Sequence, residues 1–155
     1  MKIYIVLVLV AITSASEEWK HKTLDEWHEI EEKCKQEHKI SPEIEVKVNT
    51  EKYIPKEAFE LSLCFLRGVG LWTDSKGFSV DGLMYLVESV PTVETLNIDS
   101  LRDQLKKCID IDSNSKGDTP LDRAYSCYKC FRDNEDLYKT LRKAKLYEEP
   151  KHLDK

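Results

Sequence analysis

Five cysteines, at positions 34, 64, 108, 127 and 130, are the side chains of this sequence best suited to redox or metal chemistry. The pair Cys127-Tyr-Lys-Cys130 has the spacing of a redox-active or metal-binding motif. It falls well inside a predicted helix, however, whereas reactive thiolates are stabilised at helix N-termini. A tetrahedral zinc site needs four Cys or His ligands, and the sequence offers neither a second such pair nor a His-x-x-x-His pattern. We therefore expect these cysteines to be structural.

A second candidate is the acidic segment Asp110 to Asp118, which begins like a calcium-binding loop with oxygen-bearing side chains at its first, third and fifth positions. The sixth position of such a loop needs glycine for a sharp turn, and the twelfth needs a bidentate glutamate. These positions hold Ser115 and Leu121. We expect a solvated acidic loop, with no metal and no cofactor.

The remaining sequence contains no hydrolase elbow, phosphate-binding loop or zinc-protease motif, so we expect a protein that is not an enzyme. Its net charge is −5, with acidic and basic residues mixed along most of the chain. A mildly acidic surface favours solubility and argues against nucleic acid as a partner.

The N-terminus has the pattern of a cleaved secretory signal: Lys2, an apolar run from Ile3 to Ile12, and small residues up to Ser16. A membrane-spanning helix needs about 20 apolar residues, roughly twice the length of this run. We expect residues 1–16 to be a signal peptide and residues 17–155 to form a single domain. The mature protein should be secreted and extracellular, without membrane insertion.

Helical spacing of apolar residues and helix-capping residues predict the elements that position these side chains. A capping box of Thr23 and Glu26 precedes the first helix, and Ser41-Pro42 begins a second that fades near Thr50. A third helix begins at Pro55. Its apolar residues cover nearly the whole circumference, so we expect it to be buried centrally.

The later elements are predicted in the same way. The third helix ends at Gly68 and Gly70, and a turn follows at Asp74–Gly77. A fourth helix is capped by Ser79 and stopped by Pro91, and a fifth runs through Ile98 and Cys108. Thr119-Pro120 opens a sixth helix, a last helix carries Leu137, Leu141 and Ala144, and a polar tail begins at Tyr147. No segment alternates persuasively with a period of two. The predicted fold is all-α, a compact bundle of about six or seven helices.

All five cysteines lie in the secreted part of the chain, where oxidation should pair them. Because the number of cysteines is odd, at least one of them stays outside the disulfides within the chain. Any of the five can be the odd one, and four paired cysteines allow three connectivities, so 5 × 3 = 15 arrangements stay open on spacing alone.

Three segments, Phe59 to Trp72, Asp74 to Phe78 and Thr119 to Phe131, resemble the insect odorant-binding proteins of pheromone and general odorant type. The resemblance covers nearly all of the mature chain. That family has six cysteines, bridged first to third, second to fifth and fourth to sixth. Cysteines 34, 64, 108 and 130 match the first, third, fourth and sixth.

Glu60 and Leu121 occupy the family's second and fifth cysteine positions, so both halves of one bridge are missing. This pattern resembles the C-minus subgroup. The resemblance implies bridges Cys34–Cys64 and Cys108–Cys130, each contributing about 3 kcal/mol, and leaves Cys127 as the odd thiol. Loss of the bridge between the third helix and the helix after Thr119 is expected to ease ligand exchange and broaden selectivity.

The resemblance also implies an apolar cavity between the helices that binds small hydrophobic ligands such as odorants, pheromones or related lipids. Thirteen residues are expected to line it: Trp27, Ile30, Phe59, Leu63, Leu66, Trp72, Leu83, Met84, Val87, Leu105, Ala124, Tyr128 and Phe131. Met84 has a flexible thioether that adapts to different ligand shapes. Tyr128 is placed to donate one hydrogen bond to a ligand carbonyl or hydroxyl.

Two other roles remain open for this fold: a non-sensory salivary, venom or haemolymph scavenger of amines or lipids, and a protein-binding effector. An amine scavenger needs acidic side chains that point inward, for which Glu60 is the one candidate. An effector needs an exposed apolar patch. A chemosensory receptor, or a second copy in a weak dimer, is a further partner to consider. The polar tail, with only His152 titrating near neutrality, argues against a tail-driven pH switch.

Overall fold

The computed structural model describes residues 19–88, 97–113 and 119–145, in which the chain forms seven α-helices and one short hairpin. The elements are α1 (Leu24–Glu37), α2 (Pro42–Thr50), α3 (Lys56–Gly68), β1 (Trp72–Thr73), β2 (Gly77–Phe78), α4 (Val80–Glu88), α5 (Ile98–Ser113), α6 (Pro120–Asp133) and α7 (Glu135–Lys145). The all-α prediction is confirmed. The predicted signal peptide, the stop at Pro91 and the tail from Tyr147 fall outside the described residues.

The helix starts follow from the capping residues of the sequence. Thr23 and Glu26 form a reciprocal capping box at α1, and the Ser41 hydroxyl accepts a hydrogen bond from the Ile44 amide at α2. Helix α6 begins with proline at its first turn and with a second capping box, in which Thr119 and Asp122 bond each other's backbone amides. Such caps satisfy amide donors that have no partner inside the helix.

The turn predicted at Asp74–Gly77 is present, and it joins two strands that the sequence did not reveal. Trp72 pairs with Phe78 and Thr73 with Gly77 in an antiparallel hairpin. Strands of two residues are too short to show an alternating pattern. Gly77 has a φ of +75°, a left-handed conformation that glycine adopts without strain.

The predicted acidic loop from Asp110 to Asp118 needs a correction. Helix α5 continues to Ser113, so the first four residues of the segment are helical. Residues 114–118 lie outside the described part of the chain. A calcium loop must curl its first residues around the ion, and a helical backbone over them does not allow this.

Helix α3 packs against α1, α2, α6 and β1, which places it at the centre of the bundle as expected. Its burial is not all-round, however. Ala58, Phe59 and Leu63 are fully buried, whereas Glu60 and the C-terminal end are exposed. At Gly68 the neighbouring helix approaches closely, because a Cβ there would lie 2.3 Å from Cγ2 of Ile30.

Two disulfides join helices in pairs. Cys34–Cys64 connects α1 to α3, and Cys108–Cys130 connects α5 to α6. These are the two bridges that the resemblance implied. Cys127 lies outside both of them, and its side chain is fully buried in the core.

Candidate functional site

The thirteen residues expected to line a cavity come together in one hydrophobic cluster, contributed by α1, α3, β1, α4, α5 and α6. Nine are fully buried: Phe59, Leu63, Trp72, Leu83, Met84, Val87, Leu105, Ala124 and Phe131. Four are half-buried and pack against the others: Trp27, Ile30, Leu66 and Tyr128. Residues distant in sequence therefore share one apolar environment.

Three aromatic rings form the part of this cluster that lies between α3 and α6. The ring centroid of Phe59 is 5.3 Å from that of Tyr125 and 5.0 Å from that of Tyr128. The two tyrosine rings are 5.7 Å apart. These separations are typical of favourable aromatic packing.

The two tyrosine hydroxyls bind the backbone of the same residue, Ile54, in different senses. The Tyr125 hydroxyl donates to the Ile54 carbonyl over 2.8 Å, whereas the Ile54 amide donates to the Tyr128 hydroxyl over 2.9 Å. Burial raises the pKa of Tyr128, so the phenol keeps its proton at neutral pH. Because the Tyr128 hydroxyl acts as acceptor towards Ile54, its own proton can be donated elsewhere.

Trp72 is fixed in the cluster at both ends of its ring system. Its indole N–H donates to Asp74 Oδ1 over 2.9 Å, and its ring packs edge-on against Phe78 at a centroid distance of 5.0 Å. Phe78 in turn contacts Phe131 at 5.3 Å. The hairpin therefore anchors aromatic side chains against α6.

Sequence reasoning missed several members of the cluster. Trp19 precedes the first helix and lacked a periodic context, yet its indole N–H donates to the Val69 carbonyl over 3.1 Å. Its ring rests on Gly82, where a Cβ would lie 2.9 Å from Trp19 Cγ. The expected lining also omitted other apolar members of the cluster, among them Val69, Leu71, Phe78, Leu101, Tyr125 and Leu137. Leu101 and Leu137 stand at helical spacing on predicted helices, whereas no local pattern marks Leu71.

The interior formed by the described residues carries almost no polar side chains. Among the described side chains the only buried polar one is Thr140, whose hydroxyl donates to the Asp136 carbonyl. Glu60, the one acidic candidate for an inward position, is exposed, with a carboxylate oxygen 3.9 Å from His38 Nδ1. A buried cation would need a buried anionic partner, and the described core provides none.

Two of the concavities on the described surface are lined by none of the thirteen residues. One, of about 480 Å³, is lined by Lys35, His38, Lys39, Ile40, Glu45, Val48 and Leu61. The other, of about 740 Å³, lies over the Cys108–Cys130 bridge and is lined by Gln104, Lys107, Ser126, Lys129, Asp133 and Asn134 together with both cysteines. Both include charged side chains in their lining, unlike the apolar cluster.

One group of potential metal ligands occurs in the described residues, namely Glu37, His38 and Cys64. The Cys64 sulfur is bonded to Cys34 and is not a thiolate. A disulfide sulfur is a poor ligand, so two donors remain, fewer than a stable zinc site requires.

A model of the PBP/GOBP family matches residues 16–134 of the chain. The matched range includes both disulfides and all thirteen residues of the expected lining. Comparison with curated proteins finds no match to this chain.

Proposed function

The chain belongs to the PBP/GOBP family of small odorant- and pheromone-binding carriers, and from this membership we propose that it is a secreted carrier of one small hydrophobic ligand. We assign the ligand to the apolar cluster between the helices. Residues 1–16 then act as the signal for secretion, and residues 17–155 form the carrier domain. The start of the family match at residue 16 supports this division.

The observation that carries the proposal is the convergence of the expected lining in one cluster. The thirteen residues lie on five helices and one strand, and all of them join the same apolar core. A ligand placed among them is removed from water on all sides, which contributes about 25 cal/mol per Å² of buried apolar surface. Met84, 1 % exposed, provides an adaptable side chain at the centre of this cluster.

The described interior favours a neutral ligand over an amine. No carboxylate is buried among the described side chains, so a protonated amine would lose its hydration without gaining an ion pair. Tyr128 offers one hydrogen-bond donor beside the Phe59 ring. This combination suits a mainly apolar molecule with a single carbonyl, ester or hydroxyl oxygen.

The small number of exposed apolar residues also favours a carrier over a protein-binding effector. The large apolar side chains exposed among the described residues are four: Leu24, Ile40, Val46 and Tyr85. A protein-binding face needs a contiguous apolar patch, for which four side chains provide little surface.

The test is displacement of the fluorescent probe N-phenyl-1-naphthylamine from the refolded mature protein, titrated in parallel with apolar volatiles, fatty acids and biogenic amines. We expect displacement by volatiles or fatty acids at micromolar concentration and none by amines. Failure to bind the probe, or displacement by amines alone, would refute the carrier proposal.

A matched pair of variants shows where the probe binds. Met84→Ala removes a buried side chain of the cluster, and Val46→Ala removes an exposed one, 62 % accessible, on α2. We expect Met84→Ala to change probe affinity by about threefold or more, because it alters the area that the ligand buries, and Val46→Ala to leave it unchanged. Equal effects of both variants would place the probe elsewhere.

A further inference from the structure

The covalent cross-links divide the bundle into two pairs of helices. Cys34–Cys64 links α1 to α3, and Cys108–Cys130 links α5 to α6. Neither bridge spans the seam between α3 and α6, where the rings of Phe59, Tyr125 and Tyr128 meet. Noncovalent contacts alone therefore hold α3 against α6 in the described structure.

The polypeptide that connects α2 to α3 runs along this seam and is bonded to α6 at three levels. At one end Arg132 Nε donates to the Lys52 carbonyl over 2.7 Å, and the Tyr53 hydroxyl donates to Asp133 Oδ1 over 2.5 Å. In the middle, Tyr125 and Tyr128 hold the two backbone groups of Ile54. At the other end the Lys56 ammonium pairs with Asp122. We call residues 52–56, with these bonds to α6, the clasp.

The clasp bonds are polar, and few of their partners are buried. Lys52, Lys56 and Asp133 are exposed, and the Ile54 backbone is held at a half-buried position. Water can replace such bonds at small cost, because solvent-exposed polar groups exchange one hydrogen-bond partner for another. Apolar burial upstream is also slight, since α2 has no fully buried residue and makes its main helix contacts with α3.

From these contacts we propose that the clasp is a latch, and that its release opens the seam between α3 and α6 as the passage by which ligand reaches the core. Opening there uncovers Phe59, which is 3 % exposed when the clasp is closed and which belongs to the expected lining. The inference rests on the proposed carrier function. The latch proposal adds to that function the place where ligand passes between the helices and the hydrogen bonds that control its passage.

The decisive variant is Tyr53→Phe with Tyr125→Phe, which deletes two clasp hydroxyls and keeps both rings. Tyr138→Phe on α7 is the matched control, because it deletes a tyrosine hydroxyl that makes none of the clasp bonds and keeps the ring that lies 4.0 Å from the Arg132 guanidinium. Stopped-flow fluorescence with N-phenyl-1-naphthylamine gives the association and dissociation rates. We expect both rates of the double variant to rise by about tenfold, with the Kd changed by less than about twofold, because weakening a gate speeds passage in both directions. Tyr138→Phe should match the wild type.

Two results would overturn the latch. Unchanged rates would show that ligand crosses elsewhere, and a faster dissociation with a proportionally weaker Kd would show that these residues hold the ligand and do not gate it. Hydrogen exchange of the Ile54 amide gives a readout that needs no ligand, and we expect it to accelerate in the double variant. If the probe does not bind at all, the carrier proposal fails, and unaltered Ile54 exchange would then reject the clasp as well. Lys56→Gln provides a second, single-site variant should the double variant be unstable.

Discussion

Two neighbouring tyrosines differ in the direction of their hydrogen bonds to Ile54, and therefore in whether the hydroxyl proton can be donated to a ligand. Tyr125 and Tyr128 lie three residues apart on α6 and pack against the same Phe59 ring. Tyr125 uses its proton on the Ile54 carbonyl, whereas Tyr128 receives the Ile54 amide and retains its own proton. Tyr128 is therefore the better donor to a ligand, although both side chains have the same chemistry.

This difference predicts a selective loss of affinity. Tyr128→Phe should weaken the binding of a long-chain ketone or ester by about tenfold and leave the matched alkane unaffected, because only the oxygenated ligand loses a hydrogen bond. Tyr125→Phe removes a bond to the same Ile54 backbone, so it is the control for effects on packing. Competition against the fluorescent probe measures both affinities. An equal loss for ketone and alkane would mean that Tyr128 acts through packing alone.

At the scale of elements, the start of α6 combines a cap with an ion pair. Asp122 bonds the Thr119 amide within the capping box and pairs with Lys56 at the start of α3. The hydrogen bond from Lys56, followed by that from Thr119, lowers the pKa of Asp122 from its ordinary 3.8 to about 2. One carboxylate thus holds a helix end and ties two helices together.

The lowered pKa predicts how this tie responds to acid. A carboxylate with a lowered pKa in the folded state contributes stability that is fully present above its ordinary pKa and is lost as the pH falls through the folded value. The stability difference between wild type and Lys56→Gln should therefore be constant from pH 8 to about 5, and it should shrink between about pH 4 and 2. Urea denaturation across this range measures the difference.

A control and a direct titration complete the acid experiment. Lys139→Gln breaks the exposed Glu135–Lys139 pair within α7 and reports the effect of losing an ion pair that ties no second element. Carbon-detected NMR should show the pKa of Asp122 rising towards its ordinary value in Lys56→Gln. An unchanged Asp122 titration would rule out Lys56 as the cause.

A covalent link across the α3–α6 seam should stabilise the fold. We expect Glu60→Cys with Leu121→Cys, once oxidised, to raise the melting temperature. A further cross-link lowers the conformational entropy of the unfolded chain, which raises the free energy of unfolding by about 3 kcal/mol. Glu60→Ser with Leu121→Ser is the matched control without a bridge. Thiol counting confirms closure. A closed bridge with no gain in melting temperature would show that the missing family bridge does not limit stability here.

At the scale of the whole molecule, stability depends on one apolar core and two bridges. The bridges close chain segments of similar length, with sequence separations of 30 and 22 residues. In the chain-entropy model the stabilisation grows only with the logarithm of loop length. The two bridges should therefore contribute almost equally, although one joins α1 to α3 and the other α5 to α6.

Replacing each pair by alanine tests this equality. We expect Cys34→Ala with Cys64→Ala, and Cys108→Ala with Cys130→Ala, each to lower the free energy of unfolding by about 3 kcal/mol. Urea titration measures both. Cys127→Ala is the control for removing a buried sulfur without opening a bridge. A much larger loss for one pair would show that native packing around that bridge, and not loop entropy, dominates its contribution.

The sequence by itself determined most of the helices and their starts. Threonine and serine caps, proline at first turns and helical spacing of apolar residues are local signals, so α1, α2 and α6 begin where the sequence predicts. The resemblance selected the two bridges among fifteen arrangements that spacing left open. Membership of the expected lining in one core also followed, because residues on the apolar faces of helices must meet in a bundle.

Only the tertiary structure decided the contacts between distant segments. The hairpin pairs strands of two residues, which are too short for a periodic signal, and Trp19 reaches the core through a bond to Val69 fifty residues away. The bonds of the clasp likewise join residues separated by more than sixty positions. Such contacts depend on how the helices are arranged in space, and local periodicity carries no information about that arrangement.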